Sequence, residues 1–328
     1  MKRRDYLCAA ASGLLLLRCP ALAETAERVY RVGILRPSPP PLPDDKTANG
    51  IPDALRELGY LEGRNIVIER LYADGKPERL PGLVGELLKA KVEVVIAVSS
   101  PAVQAVRAAS ATLPIVMYGN FDPVALGLVA SLARPGGNVT GVLIAPDGYL
   151  AGKRLELLKA AVPQATRFAY LGPPADPSAR LQLVETKKAA ASLGIEVADV
   201  EVRNGDYERA FVAIAAQRPE ALFVAAHTLF VRDRMQIIQL AAKYKLPATY
   251  EWREQVADGG LMTYSTSLSW IYQRLASYVD RLLKGAKPGD LPIERPTKFE
   301  LVINLKTARA LGLAIPRSLL LRADEVIG

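Results

Sequence analysis

Five landmarks in the first half of the chain return in the same order about 130 residues later, and this repeat limits the possible folds more than any other feature. Arg31-Val-Gly-Ile-Leu-Arg-Pro37 is answered by Arg167-Phe-Ala-Tyr-Leu-Gly-Pro173, Leu58-Gly59 by Leu193-Gly194, and Asp74-Gly75 by Asn204-Gly205. Val94-Val-Ile-Ala-Val-Ser-Ser100 is answered by Ala221-Leu-Phe-Val-Ala-Ala-His227, and Leu113-Pro114 by Leu246-Pro247. Within the first unit, near-continuous apolar runs at 29–35, 65–71, 92–98 and 114–118 predict strands of a parallel sheet covered on both faces. Amphipathic stretches at 47–58, 78–90, 102–110 and 123–132 predict the helices between them. The expected fold is α/β, with two similar doubly wound parallel-sheet lobes joined by a hinge.

The Pro-Gly-Gly-Asn stretch after Arg134 breaks the preceding helix, which suits a first crossing between lobes. Gly259-Gly260 to Tyr264 offers a second crossing and the chain near 291–297 a third. The expected division is an export signal at 1–23, one lobe at 24–138 plus about 265–292, and the other at 139–264 plus about 293–328.

The signal reading rests on Lys2, Arg3 and Arg4, an apolar run at 9–17 too short to span a bilayer, and Ala21-Leu22-Ala23 as a small-x-small cleavage site. The paired arginines allow a twin-arginine or an ordinary secretory route; Cys19 offers lipid attachment as an alternative, against which Arg18 is a poor neighbour. The signal holds Lys2, Arg3, Arg4 and Arg18 against Asp5, so its removal lowers the formal net charge from +8 to about +5. Basic residues are scattered rather than interleaved with aromatics, which speaks against nucleic-acid binding.

Composition narrows the chemistry. Both cysteines, Cys8 and Cys19, fall in the first twenty residues and His227 is the sole histidine, so neither a disulfide framework nor a Ser/His/Asp triad nor a zinc site is expected in the body of the chain. No nucleotide-binding glycine fingerprint occurs: Gly148 to Gly152-Lys153 is one residue short of a phosphate loop and lacks the following Ser or Thr. Asn138-Val-Thr140 fits a glycosylation sequon but is a common tripeptide. No cofactor, metal or enzymatic activity is expected.

Ligands of open parallel sheets sit beyond the carboxyl ends of the strands, where helix N-termini present free N–H groups. The candidates there are Ser38 after the first strand, Ser99 and Ser100 after the third, and Asn120 and Asp122 after the fourth. The second lobe offers Asp176, His227, Tyr250, Glu251 and Tyr264. Ser99 and Ser100 suit a ligand carboxylate or, more plainly, capping of a helix; Asp122 likewise caps or binds an ammonium group. Tyr250 and Tyr264 either cover an apolar ligand or pack in the core.

Several blocks together resemble the bacterial ABC-transporter substrate-binding proteins of the tryptophan/tyrosine-binding type. They are Leu113-Pro-Ile-Val-Met117 leading to Asp122-Pro123, Ser131-Leu-Ala-Arg-Pro-Gly-Gly-Asn-Val-Thr-Gly141, Gly259-Gly-Leu-Met262 with Tyr264, and the tail from Pro296 to Lys306 and on to Val326. The resemblance implies a type I periplasmic-binding fold with three crossing segments and a small organic solute, an amino acid or other carboxylate, in the cleft. It also implies a periplasmic location, a permease partner in the inner membrane and a monomer. The chain departs from the family's usual residues at Ser99-Ser100, His227 and Tyr264-Ser265 and in the proline-rich stretch 37–43, so the ligand is not carried over. An extracytoplasmic sensor with the same cleft is the alternative, and an α/β enzyme a more distant one.

The mature chain is expected to begin at or near Glu24. N-terminal sequencing of the exported protein checks this; an intact Met1 form in the cytoplasm, or a lipid on Cys19, contradicts it.

Overall fold

The structure, a computed structural model, describes residues 28–42, 45, 49–144, 149–173 and 177–328. The export signal, the expected new N-terminus and Asp176 lie outside the described residues, as does the start of the expected helix at 47–58.

The first sheet is built from β1 (Tyr30–Arg36), β2 (Ile66–Tyr72), β3 (Val94–Val98), β4 (Ile115–Gly119) and β5 (Val139–Leu143), all parallel and in the order β2-β1-β3-β4-β5. Every residue of β3, β4 and β5 is buried, because helices cover both faces. On one face lie α2 (Leu80–Lys89) and α3 (Ser99–Ala109), with Leu83, Val84, Leu87, Val103 and Val106 against Val95 and Met117. The other face packs α1 (Gly50–Glu57) and α10 (Leu268–Leu283) through Leu55, Ile271, Leu275 and Val279.

The second sheet has the order β12-β11-β10-β9-β8-β6-β7. Its strands are β6 (Arg167–Gly172), β7 (Glu196–Glu201), β8 (Ala221–Val224), β9 (Ala248–Tyr250), β10 (Met262–Ser265), β11 (Glu300–Asn304) and β12 (Glu325–Ile327). The run β7-β6-β8-β9-β10 repeats the order of the first sheet strand for strand, so the two lobes anticipated from the repeat share one topology. The addition of β11, antiparallel to β10, and of β12 distinguishes the second lobe. Its helices are α4 (Tyr149–Ala161), α5 (Pro177–Leu193), α6 (Tyr207–Ala216), α7 (Thr228–Arg232), α8 (Arg234–Lys243), α9 (Arg253–Ala257), α11 (Leu305–Ala310) and α12 (Arg317–Leu320).

Three expectations need correction. The stretch 123–132 is not a helix: the Asp122 carboxylate takes the Val124 and Ala125 N–H groups, and Gly127, at φ +64°, turns the chain after a single turn. The lobe boundary expected between 138 and 139 moves as well, because Val139–Leu143 pairs with β4 and completes the first sheet. A third shift is smaller: Ile293 joins the core of the first lobe and Leu143 N–H donates to the Glu294 carbonyl, so the last crossing follows Glu294. The chain thus passes between sheets after Leu143, after Ser265 and after Glu294.

Gly141 shows why β5 fits where it does. At φ +136°, a Cβ there would lie 2.2 Å from the Met117 carbonyl oxygen. Gly141→Ala is expected to cost more than about 2 kcal/mol by denaturant unfolding, through strain and a clash with backbone that cannot move aside. Gly82→Ala in α2, where a Cβ meets nothing within 4 Å, should leave stability unchanged or raise it.

Candidate functional site

The carboxyl ends of the strands of both sheets face each other across a cleft with about 350 Å³ of free space, its mouth included. The first lobe contributes Asn120 and Ile144 from the ends of β4 and β5. The second contributes Ala226, Glu251, Tyr264 and Ser265 from β8, β9 and β10, with Leu150, Ala151 and Arg154 from α4 and Gln182 from α5. The lobes are closed on each other. Asn120 Nδ2 donates to Glu251 Oε1 at 3.2 Å, Arg234 meets Asp45 at 3.2 Å, Arg232 Nε donates to the Pro40 carbonyl, and Trp252 packs into the first lobe's core beside Tyr118 and Tyr272.

Two charges dominate the cleft. Arg154 is only 3% exposed, its Nε finds no hydrogen-bond partner, and its guanidinium lies over the Phe223 ring, 4.5 Å from the centroid. Burial pulls its pKa down to about 10, with Glu251 and Tyr170 opposing. Glu251, 8% exposed, is pushed up by burial to about 7 against the pull of Arg154, His227 and the Asn120 hydrogen bond. The two side chains line the same cleft and influence each other electrostatically without forming an ion pair. Thr249, whose Oγ1 is also buried and unpaired, lies in register with Phe223 beneath Arg154.

Of the residues expected from sequence, Asn120, Glu251 and Tyr264 come together in this lining, Tyr264 resting against Phe299 with ring centroids 5.8 Å apart. The rest fall elsewhere. Ser38 is buried beyond β1 outside the lining, and Asp122 is engaged in its turn. His227 starts α7, its Nδ1 accepting from Leu229 N–H at 3.3 Å and its ring set edge-on to Phe230, although it still acts on Glu251 electrostatically. Tyr250 points into the second lobe's core, away from the cleft, because strand alternation sends it to the face opposite Thr249.

Ser99 and Ser100 neither line this space nor cap α3: the capping position belongs to Val98, and no side chain caps the helix. Ser99 instead adopts φ +68°, a strained backbone for a residue with a Cβ, pressed against Gly119.

Arg154 and Gln182 are among the lining residues absent from the sequence candidates, with Ile144, Leu150, Ala151, Ala226 and Ser265. A signal existed for Arg154, which interrupts the apolar stripe Leu150, Ala151, Leu155 and Leu158 at helical spacing; a cation on a buried face demands a partner. None existed for Gln182, whose amide exchanges two hydrogen bonds with the Ala226 backbone, at 2.8 and 2.9 Å, and so braces the end of β8.

Comparison with known proteins agrees with this architecture. The chain is 26% identical over 270 residues to a tyrosine-binding protein of Clostridioides difficile (strain R20291), covering 82% of this chain and 77% of the relative. A solved ABC domain from Streptococcus pneumonia in complex with L-Trp superposes with a TM-score of 0.79 at 26% identity, over 91% of this chain and 100% of that one. A conserved domain protein from Vibrio cholerae O1 biovar eltor gives 0.80, again at 26% identity over 91% of this chain and 100% of its own. The family profile of the ABC transporter substrate binding proteins matches residues 42–327, and with that match over nearly the whole described chain, this protein belongs to the ABC transporter substrate binding protein family.

Proposed function

We propose that the protein is the extracytoplasmic receptor of an ABC importer and that its cleft closes on a small organic carboxylate, most simply an amino acid with an apolar or aromatic side chain. The observation that carries this is Arg154: a cation held out of water in the cleft wall with no hydrogen-bonding partner among the described residues. A buried charge left unpaired is costly, and a carboxylate is the planar acceptor that a guanidinium fits. The Glu251 carboxylate, oriented by Asn120, is placed to take a ligand ammonium group, and Tyr264 and Ile144 to cover an apolar tail. The tyrosine-binding relative and the L-Trp complex support this ligand class.

On this reading the receptor works as a monomer in the periplasm and hands its solute to an inner-membrane permease. Three crossings between lobes favour a hinge motion, and the closed arrangement is the one that presents both charges to a single small molecule.

Arg154→Met keeps the side-chain volume and removes the charge. Titration calorimetry with L-tyrosine and L-tryptophan should show binding by the parent protein, weakened about tenfold or more in the variant, as expected for loss of a charge-assisted hydrogen bond worth about 1.5–3 kcal/mol. Thermal stability of the unliganded variant should hold or rise, since an unpaired buried cation is gone. Unchanged affinity would remove Arg154 from the site.

Glu251 supplies a pH test with a definite sign. Since burial holds its proton on up to about pH 7 in the closed arrangement, binding an ammonium group there below that pH requires releasing the proton. Affinity for L-tyrosine should therefore fall as pH drops below about 7, by up to about tenfold per unit. The desamino analogue 3-(4-hydroxyphenyl)propanoate should behave in the opposite way, weakening above about 7 as a second anion meets ionised Glu251. Glu251→Gln should flatten both profiles. Parallel profiles for the two ligands would place the ammonium elsewhere.

A further inference from the structure

The second lobe carries a larger hollow that takes no part in the cleft. Between α8 and α11, on the sheet face opposite α4, lies a groove with about 710 Å³ of free space, its mouth included, roughly twice that of the cleft. Ile238, Ala241 and Ala242 of α8 form one wall and Ala310 and Leu311, at the end of α11, the other. The alanines make it: larger side chains at these positions would have filled the space, as interiors normally are.

Two polar groups serve this groove and have no partner among the described residues. Tyr250 lines it and is 1% exposed, and its raised pKa has burial as its one cause, with no hydrogen bond to its hydroxyl. Lys306 lies in the lining on the exposed side of α11 and forms no ion pair. The third polar residue, Thr307, is already engaged, donating to the Gly259 carbonyl at 2.9 Å. An apolar trough lined by a tyrosine whose hydroxyl makes no hydrogen bond, with a free ammonium at its edge, is complementary to an amphipathic anion.

We propose that this groove is a second binding site, distinct from the cleft, for a small apolar monocarboxylate whose hydrocarbon part lies between α8 and α11. Its carboxylate takes the charge of Lys306 and the hydrogen bond of the Tyr250 hydroxyl. Strand β9 separates the two sites: Ala248 and Tyr250 face the groove, and Thr249 faces the side of Phe223 and Arg154.

Octanoate is a suitable probe, with an apolar chain and one carboxylate. Titration calorimetry on the exported chain should show one octanoate bound, and Arg154→Met, which disables the proposed cleft site, should retain that binding. Lys306→Glu, an exposed change, should weaken it at least tenfold, and Ala242→Trp, which covers the groove, should abolish it. If Ala242→Trp fails to fold, Ala310→Trp on the opposite wall serves the same purpose, and Tyr250→Phe should weaken binding several-fold. Absence of octanoate binding by the parent chain overturns the proposal. So does binding that is lost in Arg154→Met and survives Lys306→Glu and the tryptophan variants, since the octanoate then sits in the cleft. L-tyrosine binding by the Lys306→Glu variant reports on the cleft independently, so failure of one site is not mistaken for failure of the other.

Discussion

Parallel pairing of strands is the constraint on which everything else here depends. A parallel neighbour cannot be reached by a tight turn, so each strand must be followed by a crossover, and all carboxyl ends gather along one edge of the sheet. In this chain the same five-strand order occurs twice, and the two edges are turned toward each other. The cleft is the outcome: Asn120 and Ile144 arrive from one edge, Glu251, Tyr264 and Ser265 from the other. The helices that begin at those edges bring their N-terminal halves with them, which is how α4 delivers Arg154 and α5 delivers Gln182.

The electrostatics of closure follow from that geometry. Arg154 and Glu251 are both buried in the closed arrangement, and burial is the largest cause of the shift in each. In the closed arrangement the Arg154 Nε has no acceptor among the described residues. On the proposed reading, a ligand carboxylate at this position would bind the closed form better than an open one, and a difference in affinity between two forms is what shifts their populations. The contacts outside the cleft, Arg234 with Asp45 and Arg232 with the Pro40 carbonyl, hold the lobes in register without touching the solute space.

Much of the fold was legible because its signals are local. Continuous apolar runs, the paired Leu-Gly helix ends and the repeated Leu-Pro strand starts depend on neighbours along the chain, and the two lobes of like topology they suggested are found. The stretch 123–132 misled because its apolar spacing is helical while Asp122 and Gly127 close it into turns. The β5 strand misled because Pro135, Gly136 and Gly137 mark a break in the chain, and a break looks the same whether the next strand joins the old sheet or a new one.

The residues by themselves determined that the chain forms two α/β lobes of one topology with a site at the strand ends, since periodicity and repeat are properties of the linear order. Tertiary structure alone decided which side chains meet there. Tyr250 and Glu251 are adjacent in sequence, yet one lies in the core and the other in the cleft, because strand alternation and the curl after β9 assign their faces. Sequence marks Arg154 only as a cation on an apolar helical stripe; packing of that helix against β9 and β10 sets its guanidinium over Phe223, with no acceptor for its Nε among the described residues. Burial is a property of the whole packed arrangement, and it is burial that makes an ordinary charge costly to leave without a partner.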